Sequence, residues 1–182
     1  MRINEKNITL KDGRYGILRN PKPGDASALI EYMKVTAGET PFILRYPEEI
    51  TTTVEQEEVF LQDILDNPHS LMIMAEVDGE VAGNAVISAV GLRQKIQHRC
   101  SVAITLYKKY WNQRIGTALL NLLLEKAKEH GYEQAELEVA KSNDRAIALY
   151  RKVGFRETGY SWRALKYKDG SYDDLILMVK EL

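Results

Sequence analysis

The stretch from Ser101 to Phe155 constrains the fold most, because its pattern reads as strand, turn, helix, strand, helix. Val102-Ala103-Ile104-Thr105-Leu106 is apolar, rich in β-branched residues and short, as a buried strand is. A polar turn follows from Tyr107 to Arg114. From there Ile115, Ala118, Leu119, Leu122, Leu123 and Ala127 fall at the spacing of one helical face. Gly131 is the predicted stop, since glycine takes the left-handed C′ position without steric cost. Ala135 to Val139 reads as the second strand. A second helix runs from Asn143, a good N-cap, to Gly154.

A helix that crosses from one strand to the next demands a parallel pair. The rest of the chain predicts antiparallel neighbours. Asp12-Gly13, Asp78-Gly79 and Asp169-Gly170 each sit between strand-like runs and signal hairpins. The paired runs are Ile8–Leu10 with Tyr15–Arg19, Leu71–Val77 with Val81–Val90, and the strand after Phe155 with Tyr172–Val179. Asp25 is placed to cap a helix carrying Ala26, Leu29, Ile30 and Met33 inward and stopping near Gly38. A cap among Thr51, Thr52 and Thr53 starts another, with Val54, Phe60, Leu61, Ile64 and Leu65 inward. Glu39 to Thr53 reads as irregular, and Arg93 to Arg99 as a strand end or loop.

At 182 residues and 45% hydrophobic, the chain has the length for one domain, residues 1–182, with a sizeable core. A net charge of −1 gives no field for nucleic acid or an anionic membrane. The single cysteine, Cys100, excludes an internal disulfide and a cysteine-based zinc site, and on a strand it reads as a small buried hydrophobe. There is no apolar stretch long enough for a bilayer and no apolar signal core at the start. These features predict a cytoplasmic protein without a metal. The absence of a P-loop lysine pattern argues against a nucleotide-binding regulator.

The turn before Ile115 is suited to an anion. The first amides of a helix lack intrahelical acceptors, and its dipole is positive there. Gly116 and Thr117 let the backbone come close, while Arg114, Lys108 and Lys109 add charge. Tyr110-Trp111-Asn112-Gln113-Arg114-Ile115-Gly116-Thr117-Ala118-Leu119-Leu120 resembles the acetyl-CoA-binding motif of the GNAT N-acetyltransferases. Asn143-Asp144-Arg145-Ala146-Ile147-Ala148-Leu149-Tyr150-Arg151-Lys152-Val153-Gly154-Phe155 resembles that family's second signature, the more specific of the two. A shifted register, Gln113…Gly116…Ala118, fits the family pattern literally but places the helix less well; in the register set by Ile115-Gly116, Trp111 stands at the family's Gln/Arg position and Arg114 at its first glycine. A Cβ there occupies space where the backbone would approach the pyrophosphate, but the guanidinium supplies a bidentate donor instead.

The resemblance implies an α/β (α+β) fold with a mixed, mostly antiparallel central sheet, helices on both faces and a splayed parallel pair, Ser101–Leu106 and Ala135–Ala140. It implies acetyl-CoA as acetyl donor, with no metal, and direct transfer in a ternary complex to a primary amine of a small molecule or protein. The partner would be neither nucleic acid nor membrane, and the chain a monomer or homodimer. Donor-binding residues carried over are Ile104, Thr105, Leu106, Trp111, Asn112, Gln113, Arg114, Ile115, Gly116, Thr117, Asn143, Ala146 and Tyr150. Tyr150 becomes the general acid, because a phenol with a pKa near ~10 still holds its proton at neutral pH. Where many relatives carry a glutamate base, this chain has Ser101, which can position a water; His98 is a second candidate base. Glu39, Glu48 and Glu49 fall in the loop that in the family covers the acceptor, and they favour a cationic amine. The alternative is a non-catalytic acyl-CoA-binding or regulatory domain of the same fold, which Arg114 and the missing strand glutamate keep open.

Overall fold

A computed structural model describes all residues from Met1 to Leu182. Eight strands and four α-helices follow in the order β1 (Lys6–Thr9), β2 (Tyr15–Arg19), α1 (Ala26–Glu39), α2 (Val54–Asp66), β3 (Ser70–Val77), β4 (Glu80–Ala89), β5 (Arg99–Leu106), α3 (Ile115–Glu129), β6 (Gln134–Ala140), α4 (Asp144–Lys152), β7 (Arg156–Lys166) and β8 (Tyr172–Glu181). The strands form one mixed sheet in the order β1-β2-β3-β4-β5-β6-β8-β7. Only β5 and β6 run parallel among the pairs whose registers are described; the others are antiparallel. This is the mixed, mostly antiparallel sheet that the crossover and the hairpins predict.

By contacts the chain forms two compact units, Met1–Ser88 with Ala103–Leu123, and Ala89–Val102 with Leu124–Leu182. In the first, the β3–β4 turn has Asp78 at φ 54° and Gly79 at φ 79°. Positive φ at both central residues matches the right-handed twist of the flanking strands. Thr53 is the N-cap of α2, and Gln56 returns a bond to its amide, a reciprocal capping box. A core of Ala26, Leu29, Tyr32, Leu61, Ile64, Met72, Met74 and Val81 joins α1 and α2 to β3 and β4. The inward face of α2 differs from the expected one. Leu61 and Ile64 are buried, but Val54 and Phe60 are 40% and 48% exposed, and Glu57 takes an inward place at 6%. Burial pushes the Glu57 carboxyl up, with Arg45 opposing.

In the second unit Gly131 at φ 91° follows the end of α3, and Gly154 at φ 96° follows α4, both as left-handed stops. Cys100 is fully buried, and burial pushes its thiol up to about 12, so it behaves as the expected small hydrophobe. Arg99, placed by the sequence in a loop or strand end, is the first residue of β5 and pairs with Glu136 on β6 at 2.6 Å. No helix is long and apolar enough to cross a membrane, and no cluster of His, Cys, Asp or Glu could hold a metal ion.

Asp25 corrects another expectation. It stands at the N-cap position of α1 but makes no side-chain cap bond. Its carboxylate instead accepts from Arg19 at 2.7 and 2.9 Å and from the Lys22 amide at 2.7 Å. Arg19 also reaches Glu76 on β3 at 2.8 Å, so the cluster ties β2, β3 and α1 together. The Arg19 guanidinium, against burial, holds the Asp25 carboxyl below the usual carboxylate range. A depressed native pKa stabilises the fold above the unfolded value, near ~3.9, and that gain is lost as pH falls through the native value. Arg19→Gln should therefore lower the melting temperature at pH 7, with the deficit shrinking as the pH drops below about 4. A deficit unchanged between pH 7 and pH 3 would contradict this account of the cluster.

Candidate active site

The parallel ladder is short. It pairs Arg99, Cys100 and Ser101 with Gln134, Ala135 and Glu136, and stops there, although β5 continues to Leu106 and β6 to Ala140. On β6 the remaining residues keep their antiparallel register with β8, from Leu137↔Met178 to Ala140↔Leu175. On β5, Ile104, Thr105 and Leu106 are half-buried. The Tyr107 amide donates to the Ala82 carbonyl on the β4 side at 3.1 Å.

The turn that follows is built from side chains. A short 3-10 turn spans Lys108–Tyr110 and buries Tyr110. Glu39, the last residue of α1, accepts from the Lys108 amide at 2.7 Å. Lys109 is ion-paired with Glu80, so of the three cations expected to face an anion, this one is already neutralised. The Trp111 indole donates to the Leu106 carbonyl at 3.1 Å, and Lys108 lies 6.0 Å over its ring. The Gln113 side-chain carbonyl accepts from the Asp12 amide at 3.2 Å. Trp111 and Gln113, both carried over as donor-binding residues, thus shape the turn from within.

Two non-glycine residues of this turn are left-handed, Asn112 at φ 63° and Arg114 at φ 69°. Arg114 therefore adopts, with a Cβ, a backbone conformation that favours glycine. Its carbonyl accepts the first α-helical bond, from the Ala118 amide at 3.0 Å, so the amides of Ile115, Gly116 and Thr117 point out of the helix start. Gly116 is buried, Thr117 is half-buried and the Arg114 side chain is exposed. Fifteen residues of α3 stand behind these amides. That set of donors, with one free-standing guanidinium chain and a residue lacking Cβ, fits a pyrophosphate.

In the second unit Asn143 caps α4, accepting from the Ala146 amide at 3.2 Å through its side chain and from the Ile147 amide at 3.1 Å through its carbonyl. Asn143 and Ala146 are half-buried. Tyr150 is 6% exposed, and its ring meets Phe155 edge-on at 5.9 Å. Burial pushes its phenol up to about 12. The group stays protonated at every physiological pH and can give a proton but not abstract one.

Ser101 is exposed and sits opposite Glu136 in the last rung of the ladder. His98 precedes β5, and its carbonyl accepts from the amides of Glu133 and Gln134 at 2.9 and 3.2 Å. It lies at the opposite end of β5 from Leu106, roughly 26 Å along the strand at about 3.3 Å per residue. Among the loop acids, Glu39 is committed to the Lys108 amide, and Glu49 accepts from the Tyr46 amide at 2.7 Å.

Sequence reasoning passed over Gly83, Asn84 and Tyr32. A Cβ at Gly83 would stand 2.8 Å from both the Thr105 carbonyl and the Leu106 side chain. An isolated glycine inside a strand pattern signals such a close approach, so Gly83 was open to detection.

In the first unit β5 runs past its last rung with β6 and leads into the start of α3, and in the second a capped helix carries a buried tyrosine. The family model for the Acetyltransferase (GNAT) family matches residues 39–155. An N-alpha-acetyltransferase of Sulfurisphaera tokodaii is 31% identical over 131 residues, covering 68% of this chain and 76% of the relative. A ribosomal protein bS18-alanine N-acetyltransferase of Escherichia coli is 29% identical over 99 residues, covering 54% and 67%. Among solved structures, an acetyltransferase of the GNAT family from Streptococcus pneumoniae superimposes with a TM-score of 0.87 at 29% identity, over 92% of this chain and 99% of that one. The chain belongs to the GNAT acetyltransferase family and is an N-acetyltransferase.

The left-handed Arg114 yields a direct test. A non-glycine residue in that conformation costs on the order of 1 kcal/mol. Arg114→Gly should relieve this while Arg114→Ala retains it, so the glycine variant should melt about 2–4 °C above the alanine variant. Equal melting temperatures would mean that residue 114 is not left-handed in solution.

Proposed function

We propose that residues 1–182 act as one enzyme that moves the acetyl group of acetyl-CoA directly to the α-amino group of a protein or peptide N-terminus. The early end of the β5–β6 ladder carries this reading, because it leaves Ile104–Leu106 next to a phosphate-ready helix start. Bound there, acetyl-CoA supplies an activated thioester. The amides of Ile115, Gly116 and Thr117, with the Arg114 guanidinium, hold its phosphates. Main-chain groups of Ile104 and Leu106 hold the pantetheine arm in extended form, with the Ile104 amide turned to the developing oxyanion and Asn143 and Ala146 lining the arm. Tyr150 keeps a proton on its phenol oxygen for the departing sulfur.

Direct transfer needs a neutral amine. An α-amino group, with a pKa near ~7.7–8.0, offers that form at neutral pH in roughly 300-fold higher proportion than a lysine at about 10.4. One relative is named an N-alpha-acetyltransferase and the other a ribosomal protein alanine N-acetyltransferase, which supports the same acceptor class. A net charge of −1 supports an enzyme that meets neither nucleic acid nor an anionic membrane surface.

Steady-state assays at pH 7.5 on short peptides with free or blocked N-termini and internal lysines should show transfer to the free α-amine above the lysine side chain. Transfer to lysine alone would overturn the acceptor class. Binding of acetyl-CoA without transfer to any amine would favour the non-catalytic domain instead. On the best peptide, Tyr150→Phe should lower kcat by about 10²–10⁴ and leave the acetyl-CoA KM nearly constant. A folded Tyr150→Phe protein with wild-type turnover would remove Tyr150 as the acid.

A further inference from the structure

Both hairpin tips of the first unit reach the turn that precedes α3, and one side chain joins them. Arg14, which ends the β1–β2 turn, donates to Asp12 Oδ2 from Nε at 3.1 Å and from Nη2 at 2.9 Å. Its Nη1 donates to Asp78 Oδ2, in the β3–β4 turn, at 2.9 Å. The guanidinium carbon also lies over the Tyr110 ring, 5.5 Å from the centroid. Tyr110 is 3% exposed and closes the short turn Lys108–Tyr110. Asp12, gripped by this fork, donates its amide to the Gln113 side-chain carbonyl at 3.2 Å. Gln113 stands between Asn112 and Arg114, the two left-handed residues of the turn. Glu80, the first residue of β4, pairs with Lys109 and accepts from the Tyr110 hydroxyl at 3.3 Å. Lys109, Tyr110 and Gln113 are thus each held from a hairpin tip.

An exposed arginine between two aspartates is ordinarily a solvated surface pair of little weight. Two observations set this one apart. Its guanidinium covers a buried tyrosine of the turn, and the aspartate it grips is the one whose amide holds Gln113. Asp12 and Asp78 together outweigh its single positive charge, so the cluster offers an anion no net attraction and can act on one only through geometry. A turn held in its bound form before the ligand arrives spares the ligand the cost of ordering it. We propose that Arg14 is a positioning residue for the phosphates of the acetyl donor, its fork fixing Asp12 against Gln113 and its face packing on Tyr110, so that the amides of Ile115, Gly116 and Thr117 are presented together. This rests on the reading that the start of α3 binds the donor's pyrophosphate.

Calorimetric titration with acetyl-CoA, paired with steady-state kinetics on acetyl-CoA and on S-acetylpantetheine, which has the thioester but no phosphate, tests it on wild type, Arg14→Gln and Arg14→Lys. Arg14→Gln should weaken acetyl-CoA binding about tenfold, with kcat at saturation within about twofold of wild type, a split that a loss of stability alone does not produce. Its kcat/KM on S-acetylpantetheine should match that of wild type, because the phosphates are missing from that donor. Arg14→Lys keeps the charge but loses the planar fork, and should weaken acetyl-CoA binding as Arg14→Gln does. A folded Arg14→Gln protein that binds acetyl-CoA like wild type overturns the proposal. So do equal losses on the two donors, which would place the damage away from the phosphates, and an Arg14→Lys protein that matches wild type, which would make charge alone the cause. If Arg14→Gln fails to fold, Arg14→Lys decides alone, and unchanged acetyl-CoA binding overturns the proposal. Wild type with the same kcat/KM on both donors would instead remove the phosphate site itself, a result distinct from these.

Discussion

The parallel ladder between β5 and β6 ends after three rungs, and the candidate site depends on that early end. Backbone amides and carbonyls must be paired wherever they are withdrawn from water. A strand that leaves its partner before it ends exposes donors and acceptors in the extended geometry that an amide-bearing chain can match. The pantetheine arm carries two amides and fits this need in the manner of an added strand. On its other side β5 stays hydrogen-bonded to β4, which Gly83 brings close to Thr105 and Leu106, and the Trp111 indole holds the Leu106 carbonyl from the far end.

From Leu106 onward the chain has eight residues, 107–114, in which to reverse and start a helix. It does so with Asn112 and Arg114 in a conformation that β-carbons disfavour. Strain of this kind persists where the surroundings determine it, and here the surroundings are identifiable: Glu39 on the Lys108 amide, Asp12 on Gln113 and the first turn of α3 on the Arg114 carbonyl. Arginine at 114 exchanges the ease of glycine for a positive charge beside the helix start, where the macrodipole already favours an anion.

The features that were legible in the sequence are local. Asp78-Gly79, a cap among Thr51, Thr52 and Thr53, and the Asn143 cap each involve residues within a few positions of one another, and each occurs where the pattern places it, with Thr53 taking the cap. The two signatures made the family readable as well. What the sequence concealed depends on contacts far apart along the chain. Asp25 gives its carboxylate to Arg19 and the Lys22 amide instead of a cap bond, and Arg19 is itself held by Glu76, 57 residues away. The face of α2 is rotated so that Glu57 turns inward and Phe60 outward, which a short apolar pattern with five candidates could not decide. Tyr32 and Asn84 are 52 positions apart, and nothing in either neighbourhood announces their bond.

The central claim is that the half of β5 beyond Ser101 and the start of α3 together take the acetyl donor. Hydrogen–deuterium exchange of the wild-type protein with and without acetyl-CoA tests it most directly. The amides of Ile104 to Leu106 and of Ile115 to Thr117 should gain protection, while those of Arg99 to Ser101, already in the ladder, should change little. Binding that leaves residues 104–106 and 115–117 exchanging as before, with protection arising elsewhere, would contradict the account.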